Sequence, residues 1–519
     1  MTDVKSVEQA TITITVDGKQ IEAKPGELLI AAAERAGIFI PRFCWHKRMD
    51  PVGACRMCLV DVEGSPPIPG SDQRRPQTSC TTVVREGMVV HTQYASEQIN
   101  DAQKTILELL LINHPLDCPI CDRAGECPLQ DQVQDYGPNE SKFIEPKRRF
   151  TKPVAISPLI NLDRERCILC YRCTRFCEEL SGDVLIGVME RGPEAFIFPY
   201  FSEDGEITQG FDSYFSGNTV QICPVGALTS TEYRFKSRPW DLQVQATTCN
   251  LCASGCAMYA GVRVQDGKVV RFSAATNEDT NEEWLCDKGR FGTGYISAPT
   301  RLSYPYVRKG NDLAPASWDE AFDVLAEQLK PVLDGGAKAG MIVGESLLDE
   351  DYYVAQKFAR LVLRTNSIDH RLEGGMSAEA LIRPDVTYDD VLSSDLVVLV
   401  DLDAREELPL LFLRLRIAAT KRNLPIALVN PRDVSLSEFA LVHARPVPGD
   451  ESVPAEITEA LAAASVPVIV LGPRTHSPQA IAAWRAAADA AGAKLTWAPR
   501  RSGTYGAVHA GAHPDLLPG

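Results

Sequence analysis

The sequence predicts a multidomain protein, α+β over its first 300 residues and a doubly wound α/β scaffold thereafter. Three observations lead there. The chain has 519 residues, too many for one hydrophobic core, and at roughly 100 to 200 residues per domain it divides into several. All sixteen cysteines lie between Cys44 and Cys286, and the 233 residues that follow hold none. Beyond residue 300, short apolar runs alternate with amphipathic ones, the pattern of a parallel sheet covered by helices.

In chain order, TITITVDGKQIEA alternates apolar and polar residues around Asp17 and Gly18, which predicts a hairpin with a two-residue turn. ELLIAAAERAG reads as a helix closed by Gly37, and IFIPRFC and CLVDVEG read as strands flanking a cysteine loop. These make a small α+β domain over 10–95. SEQINDAQKTILELLLINH is a helix with Ile99, Ile106, Leu107, Leu110 and Leu111 on one face, ending at His114 because the next residue is Pro115. It opens a segment over 96–150, and the proline- and charge-rich stretch 128–160 reads as a connector. Two more cysteine-bearing units span 151–240 and 241–300. In 301–519, AGMIVGES, DLVVLVDL, LPIALVNP, PVIVLGP and KLTWAP read as strands, with DYYVAQKFARLVLRT, ELPLLFLRLRIAATKR and PQAIAAWRAAADAAG as helices among them. No G-x-G-x-x-G follows any of these strands, so a structural sheet is expected rather than a dinucleotide site.

The net charge of -16 argues against a nucleic-acid partner, and the basic island KRR at 147–149 reads as a solvated linker. The start, MTDVKSVEQATITITV, carries no export signal, and no run approaches the roughly 18 apolar residues of a membrane span. The chain is therefore expected inside the cell, touching a membrane only through partner subunits. Reducing conditions there favour reading clustered thiols as metal ligands rather than disulfides.

The thiols fall into four sets. Cys44, Cys55, Cys58 and Cys80 have C-x10-C-x2-C-x21-C spacing, a variant of the [2Fe-2S] ferredoxin pattern with a longer first gap; zinc is the alternative for four cysteines. Cys167, Cys170 and Cys173 form a C-x2-C-x2-C run with Cys223 in a distant Cys-Pro, the arrangement that holds a [4Fe-4S] cubane. By that rule Cys177 is left out, as a buried free thiol. Cys249, Cys252, Cys256 and Cys286 fit a zinc ribbon as well as a [4Fe-4S] cluster on spacing alone, and the company they keep favours the cluster. Three thiols remain, Cys118, Cys121 and Cys127. A cubane needs a fourth donor, imidazole can replace thiolate on iron, and His114 is the histidine beside this trio. His46 sits in a loop that already has four thiols.

With these sets in order, the chain resembles the family of the large iron-sulfur subunit of NADH:quinone oxidoreductase, respiratory complex I. The motifs cover about residues 10–300, and GAHPDLLPG near the end also resembles the family. The resemblance implies one [2Fe-2S] cluster on an N-terminal β-grasp ferredoxin-like domain and [4Fe-4S] clusters on the other three sets. The last of these is a cluster that only some bacterial members carry, away from the main electron path. It implies an electron relay, not bond-making catalysis, on the cytoplasmic side of the inner membrane. Electrons would come from a flavin and NADH-binding subunit and leave toward quinone-reducing iron-sulfur subunits. From Trp284 onward the chain looks like a molybdopterin oxidoreductase fold kept as a scaffold, with Lys288 at the position of the lysine that bridges cluster and pterin in active relatives. That scaffold is expected to be incomplete or a shortened form. A molybdopterin formate dehydrogenase and an iron-only hydrogenase share parts of this array, but both need cysteines beyond Cys286. A zinc scaffold without redox function is the alternative of another class.

Overall fold

The computed structural model describes residues 11–200, 210–292, 294–371, 386–450, 452–475 and 477–517. They fall into two units, one within 1–243 and 263–266, the other within 244–262 and 267–519. The first ten residues, on which the expectation about export partly rests, and Pro518 and Gly519 of GAHPDLLPG lie outside the described residues.

In the first unit, β1 (Ile12–Val16) and β2 (Lys19–Ala23) form the expected hairpin. Asp17 and Gly18 take φ of 50° and 80°, the left-handed pair that a primed two-residue turn requires. The helix α1 (Leu29–Arg35) stops where Gly37 turns left-handed; the Gly37 N–H then donates to Glu34 O and the Ile38 N–H to Ala33 O. With β3 (Leu59–Val62), β4 (Gln77–Thr78) and β5 (Val89–His91) the sheet has the order β2-β1-β5-β3-β4, and only β1 and β5 are parallel. Strand alternation sends Ile14, Val16, Ile21, Val60 and Val90 into one core with Leu29, Ile30 and Ala33 of α1, at about 1.5–3 kcal/mol per large side chain.

IFIPRFC is not a strand. Pro41 offers no N–H, and side chains satisfy the backbone instead: Phe39 O accepts from Gln93 Nε2 and Arg42 O from Gln132 Nε2, both at 3.0 Å. The helix α2 (Glu97–Leu111) buries Ile99, Gln103 and Leu107, while Ile106, Leu110 and Leu111 are only half-buried. Gln103 is accommodated there because its side chain donates to Leu59 O at 3.1 Å.

The expected connector begins as a helix, α3 (Pro128–Tyr136), started by proline at its first position and ended at Gly137. Two residues of the basic island, Lys147 and Arg148, are docked, while Arg149 stays exposed as expected. Lys147 Nζ donates to Leu111 O and Ile112 O at 2.8 and 2.9 Å, and the Arg148 N–H donates to Asn113 Oδ1. The carbonyls ending α2 need donors and favour a cation, and Lys147 supplies both. Then come β6 (Val154–Ala155), β7 (Ile160–Leu162), α4 (Arg172–Arg175), β8 (Ile186–Met189), β9 (Phe196–Pro199), α5 (Gly217–Ile222) and β10 (Leu228–Ser230). Antiparallel pairing makes the sheet β10-β7-β6 and the hairpin β8-β9.

The second unit contains the antiparallel strands Ala257–Arg263, all but its last residue, and Val269–Ala274 and, further on, a five-stranded parallel sheet. Its strands run Ala440–Ala444, Ile426–Val429, Leu396–Val400, Pro467–Leu471, Lys494–Trp497 across the sheet. The three central strands are wholly buried, as their unbroken apolar runs predict. The edge strand Ala440–Ala444 was not expected, since only Ala444 is buried and its pattern is weak. Met341–Ile342 of AGMIVGES stays out of this sheet and pairs with Ile368–Asp369. A separate small core of Tyr352, Ala359, Ile368, Ala507 and Ala512 holds it there.

Candidate functional site

The first thiol set lies on the loops around β3. Cys58 and Cys80 are part of the domain's apolar core, and the loop carrying Cys55 bends through left-handed Gly53 and Arg56. The Cys44 N–H donates to Cys55 Sγ at 3.4 Å. Contacts from Cys55 and Cys80 pull the Cys44 thiol down to about 2, and the same contacts push Cys80 and Cys55 up. Cys58 also meets Cys80, so the four sulfurs form one connected group. Thiols this close cannot each keep an undisturbed proton, and the thiolate is the form that binds metal.

The second set follows α2. Cys121 and Cys127 are buried and Cys118 is exposed, and Cys121 faces the charge of both neighbours. His114 bonds to the Arg166 backbone, while its Nδ1 is buried with no partner among the described residues. Burial, with Lys147 and Arg166 adding to it, lowers the imidazole to about 4, so at neutral pH the ring is uncharged and keeps a lone pair. Arg166, which also faces Cys121, is itself buried and is compensated by Asp117 at 3.1 Å and Asp163 at 3.2 Å.

The third set encloses a cavity. Cys167, Cys170, Cys173 and Cys223 ring it, and Leu162, Ile168, Ile197 and Val225 complete its apolar wall. Left-handed φ at Leu169 and Tyr171, 51° and 60°, coils the loop so that three sulfurs turn inward. Burial, reinforced by neighbouring sulfurs, pushes Cys167 and Cys170 up to about 12 and Cys173 well above its usual range. Such thiols surrender protons only to a strong cation, which is what bound metal provides. Cys177 is not in the ring; it is buried in the wide helical turn Phe176–Ser181 that continues α4.

The fourth set is in the second unit. Cys249, Cys252 and Cys256 lie on the loop between two strands, and Cys286 opens the helix Asp287–Phe291, its Sγ accepting from the Gly289 N–H at 3.4 Å. All four are at most 4 % exposed. Lys288 faces Cys249 and Cys286, and its Nζ donates to Glu406 O at 3.1 Å. Among the described residues, no three His, Cys, Asp or Glu side chains close in as tightly as a single metal ion requires.

Three residues bring the sets of the first unit together, and spacing did not reveal them. Arg172, inside the third set's run, reaches Trp45 O beside Cys44 at 2.6 Å. Pro224 O accepts from Cys127 Sγ at 3.5 Å, and Gly226 passes so near Cys121 that a Cβ there would lie 2.1 Å from its Sγ. The glycine in CPVGAL was a visible signal; the arginine was not, since nothing local marks it.

Five family descriptions match successive parts of the chain. Residues 9–95 match the 2Fe-2S iron-sulfur cluster binding domain, 103–142 the NADH-ubiquinone oxidoreductase-G iron-sulfur binding region, and 157–229 the ferredoxin-like domain of NADH-quinone oxidoreductase subunit 3. Residues 242–298 match the molybdopterin oxidoreductase Fe4S4 domain and 301–490 molybdopterin oxidoreductase. The G subunit of NADH-quinone oxidoreductase from Mycobacterium bovis is 44% identical over 100% of this chain and 64% of its own length. The chain belongs to the NADH-quinone oxidoreductase G-subunit family. The family member from Streptomyces coelicolor is 43% identical over 98% of this chain and 62% of the relative, and subunit 3 of the Thermus thermophilus enzyme 36% over 78% and 53%. The chain thus spans about 64% of the length of its mycobacterial relative. Family membership establishes [2Fe-2S]- and [4Fe-4S]-binding types of domain ahead of a molybdopterin-oxidoreductase scaffold.

Proposed function

We propose that the chain is the electron-transfer iron-sulfur subunit of an NADH:quinone oxidoreductase, relaying electrons from a flavin and NADH-binding subunit toward quinone-reducing partners. Cys44, Cys55, Cys58 and Cys80 would hold a [2Fe-2S] cluster. His114, Cys118, Cys121 and Cys127 would hold a [4Fe-4S] cluster, as would Cys167, Cys170, Cys173 and Cys223, and Cys249, Cys252, Cys256 and Cys286. The observation that carries the reading is the apolar cavity ringed by four thiols, supported by the buried Nδ1 of His114, which has no partner among the described residues. A cavity walled by sulfur suits a polyatomic group, and an uncharged imidazole suits a fourth donor where only three thiols exist.

Such clusters supply one-electron storage at a potential that their surroundings set. The residues' part is to orient the donors, exclude water and place charge. Arg166 sets a cation beside Cys121 and His114, Leu162, Ile168, Ile197 and Val225 keep the third set dry, and Lys288 sets a cation beside Cys249 and Cys286. Residues 224–226 and Arg172 link the third set to the second and first, which supports reading the third set as the middle station. Among the described residues, no helix is long and apolar enough to cross a membrane, and we place the chain at the cytoplasmic face through its partners.

Anaerobic purification should yield ~14 irons and as many acid-labile sulfides per chain, with paramagnetic signals on reduction. Bound zinc without labile sulfide would refute the assignment.

A further inference from the structure

We propose that Arg172 is a positioning residue shared by the first and third sets, whose single cation sets the potentials of both clusters together; this rests on the reading that both sets hold iron-sulfur clusters. Arg172 lies between Cys170 and Cys173, at the start of α4. Its side chain nevertheless spans two sites. Nη2 donates to the carbonyl of Trp45, the residue after Cys44, at 2.6 Å, and Nη1 to the carbonyl of Ile222, the residue before Cys223, at 3.2 Å. The guanidinium faces Cys170 and Cys223 of one set and Cys44 and Cys55 of the other. Cys170 in turn faces Cys44.

One donor is left. Arg172 Nε is buried and has no acceptor among the described residues. A buried N–H without an acceptor is destabilising, and a cluster sulfide or ligating sulfur would supply the acceptor. Mechanical attachment of the two loops does not depend on this residue alone. Arg175 donates to Cys44 O at 2.9 Å and to Asp50 O, and Glu179, bonded to Arg175 Nε, accepts from the Asp50 N–H at 2.8 Å. With that second clamp in place, the particular contribution of Arg172 is its charge. A cation in a water-poor interior stabilises each added electron, so its removal should make both clusters harder to reduce.

The test is potentiometry followed by electron paramagnetic resonance on the full chain with its clusters. Arg172→Gln keeps N–H donors but loses the charge, so the first- and third-set midpoints should both move to more negative potential while the fourth-set midpoint holds. Arg172→Lys, which keeps the charge, should return both toward the unaltered values. With iron and sulfide intact, a shift of one midpoint only, or of neither, overturns the proposal. Absence of clusters from the unaltered chain overturns the functional reading instead. Should Arg172→Gln lose iron, protein carrying isotopically labelled guanidinium nitrogens decides. A nitrogen coupling should appear at both reduced clusters and vanish from both in Arg172→Lys; its absence at either cluster, or its survival in the lysine variant, overturns the proposal.

Discussion

Replacing Gly226 by alanine should remove the second-set cluster while leaving the fold standing. The new Cβ would lie 2.1 Å from Cys121 Sγ and 3.3 Å from Arg123 Cβ. Non-bonded atoms of this size pack at about 3.5–4 Å, so the sulfur would have to retreat by roughly 1.5 Å. A free thiol can do this by leaving its rotamer, at about 0.5–1.5 kcal/mol. A coordinated sulfur cannot, because ligand distances at a metal site hold to about 0.2 Å. The backbone adds no strain of its own, since Gly226 is not in the left-handed region. Gly226→Ala should therefore lose ~4 irons and ~4 sulfides per chain together with the second-set paramagnetic signal. Urea unfolding of the metal-free protein should shift by no more than ~1.5 kcal/mol. A fully loaded variant with an unchanged spectrum would show that Cys121 does not coordinate.

Three further outcomes are expected. His114→Cys adds a negative ligand and should keep the second-set cluster at a more negative potential; an unchanged redox titration would remove His114 from the coordination sphere. Cys177→Ala should leave all four clusters assembled and cost ~1 kcal/mol for the small void, and loss of any cluster signal would show that this thiol is a ligand. His370 is 1 % exposed, and burial, aided by Arg371, lowers it to about 4. In the unfolded chain it titrates near 6.5, so the unfolded state takes up the proton first. Its stability contribution is present above about pH 6.5 and is lost as pH falls toward 4, by ~3 kcal/mol in all. Denaturant unfolding of His370→Gln should show a shallower decline over that window; slopes equal to those of the unaltered protein would contradict it.

Much of the molecule was legible in the chain because the signals are local. The hairpin at Asp17 and Gly18, the stop at Gly37, the buried runs LVVLV and PVIVL and the inventory of thiols each depend on residues close in sequence. Where neighbours in space overrode local pattern, the expectations failed. IFIPRFC lost its strand to side-chain partners from Gln93 and Gln132, Lys147 of the linker KRR became the cap of α2, and AGMIVGES joined a different core from the main sheet.

By itself the sequence determined which donors exist and which of them share a loop, since covalent spacing limits how far apart two cysteines three positions apart can be. Only the tertiary structure decided what stands between the sets. Trp45 and Arg172 are 127 positions apart, and Cys121 and Gly226 meet across a gap of similar length. The physical reason is that hydrogen bonds, charge and excluded volume act through space, so the contacts that tune and crowd a site appear only once folding has brought distant segments together.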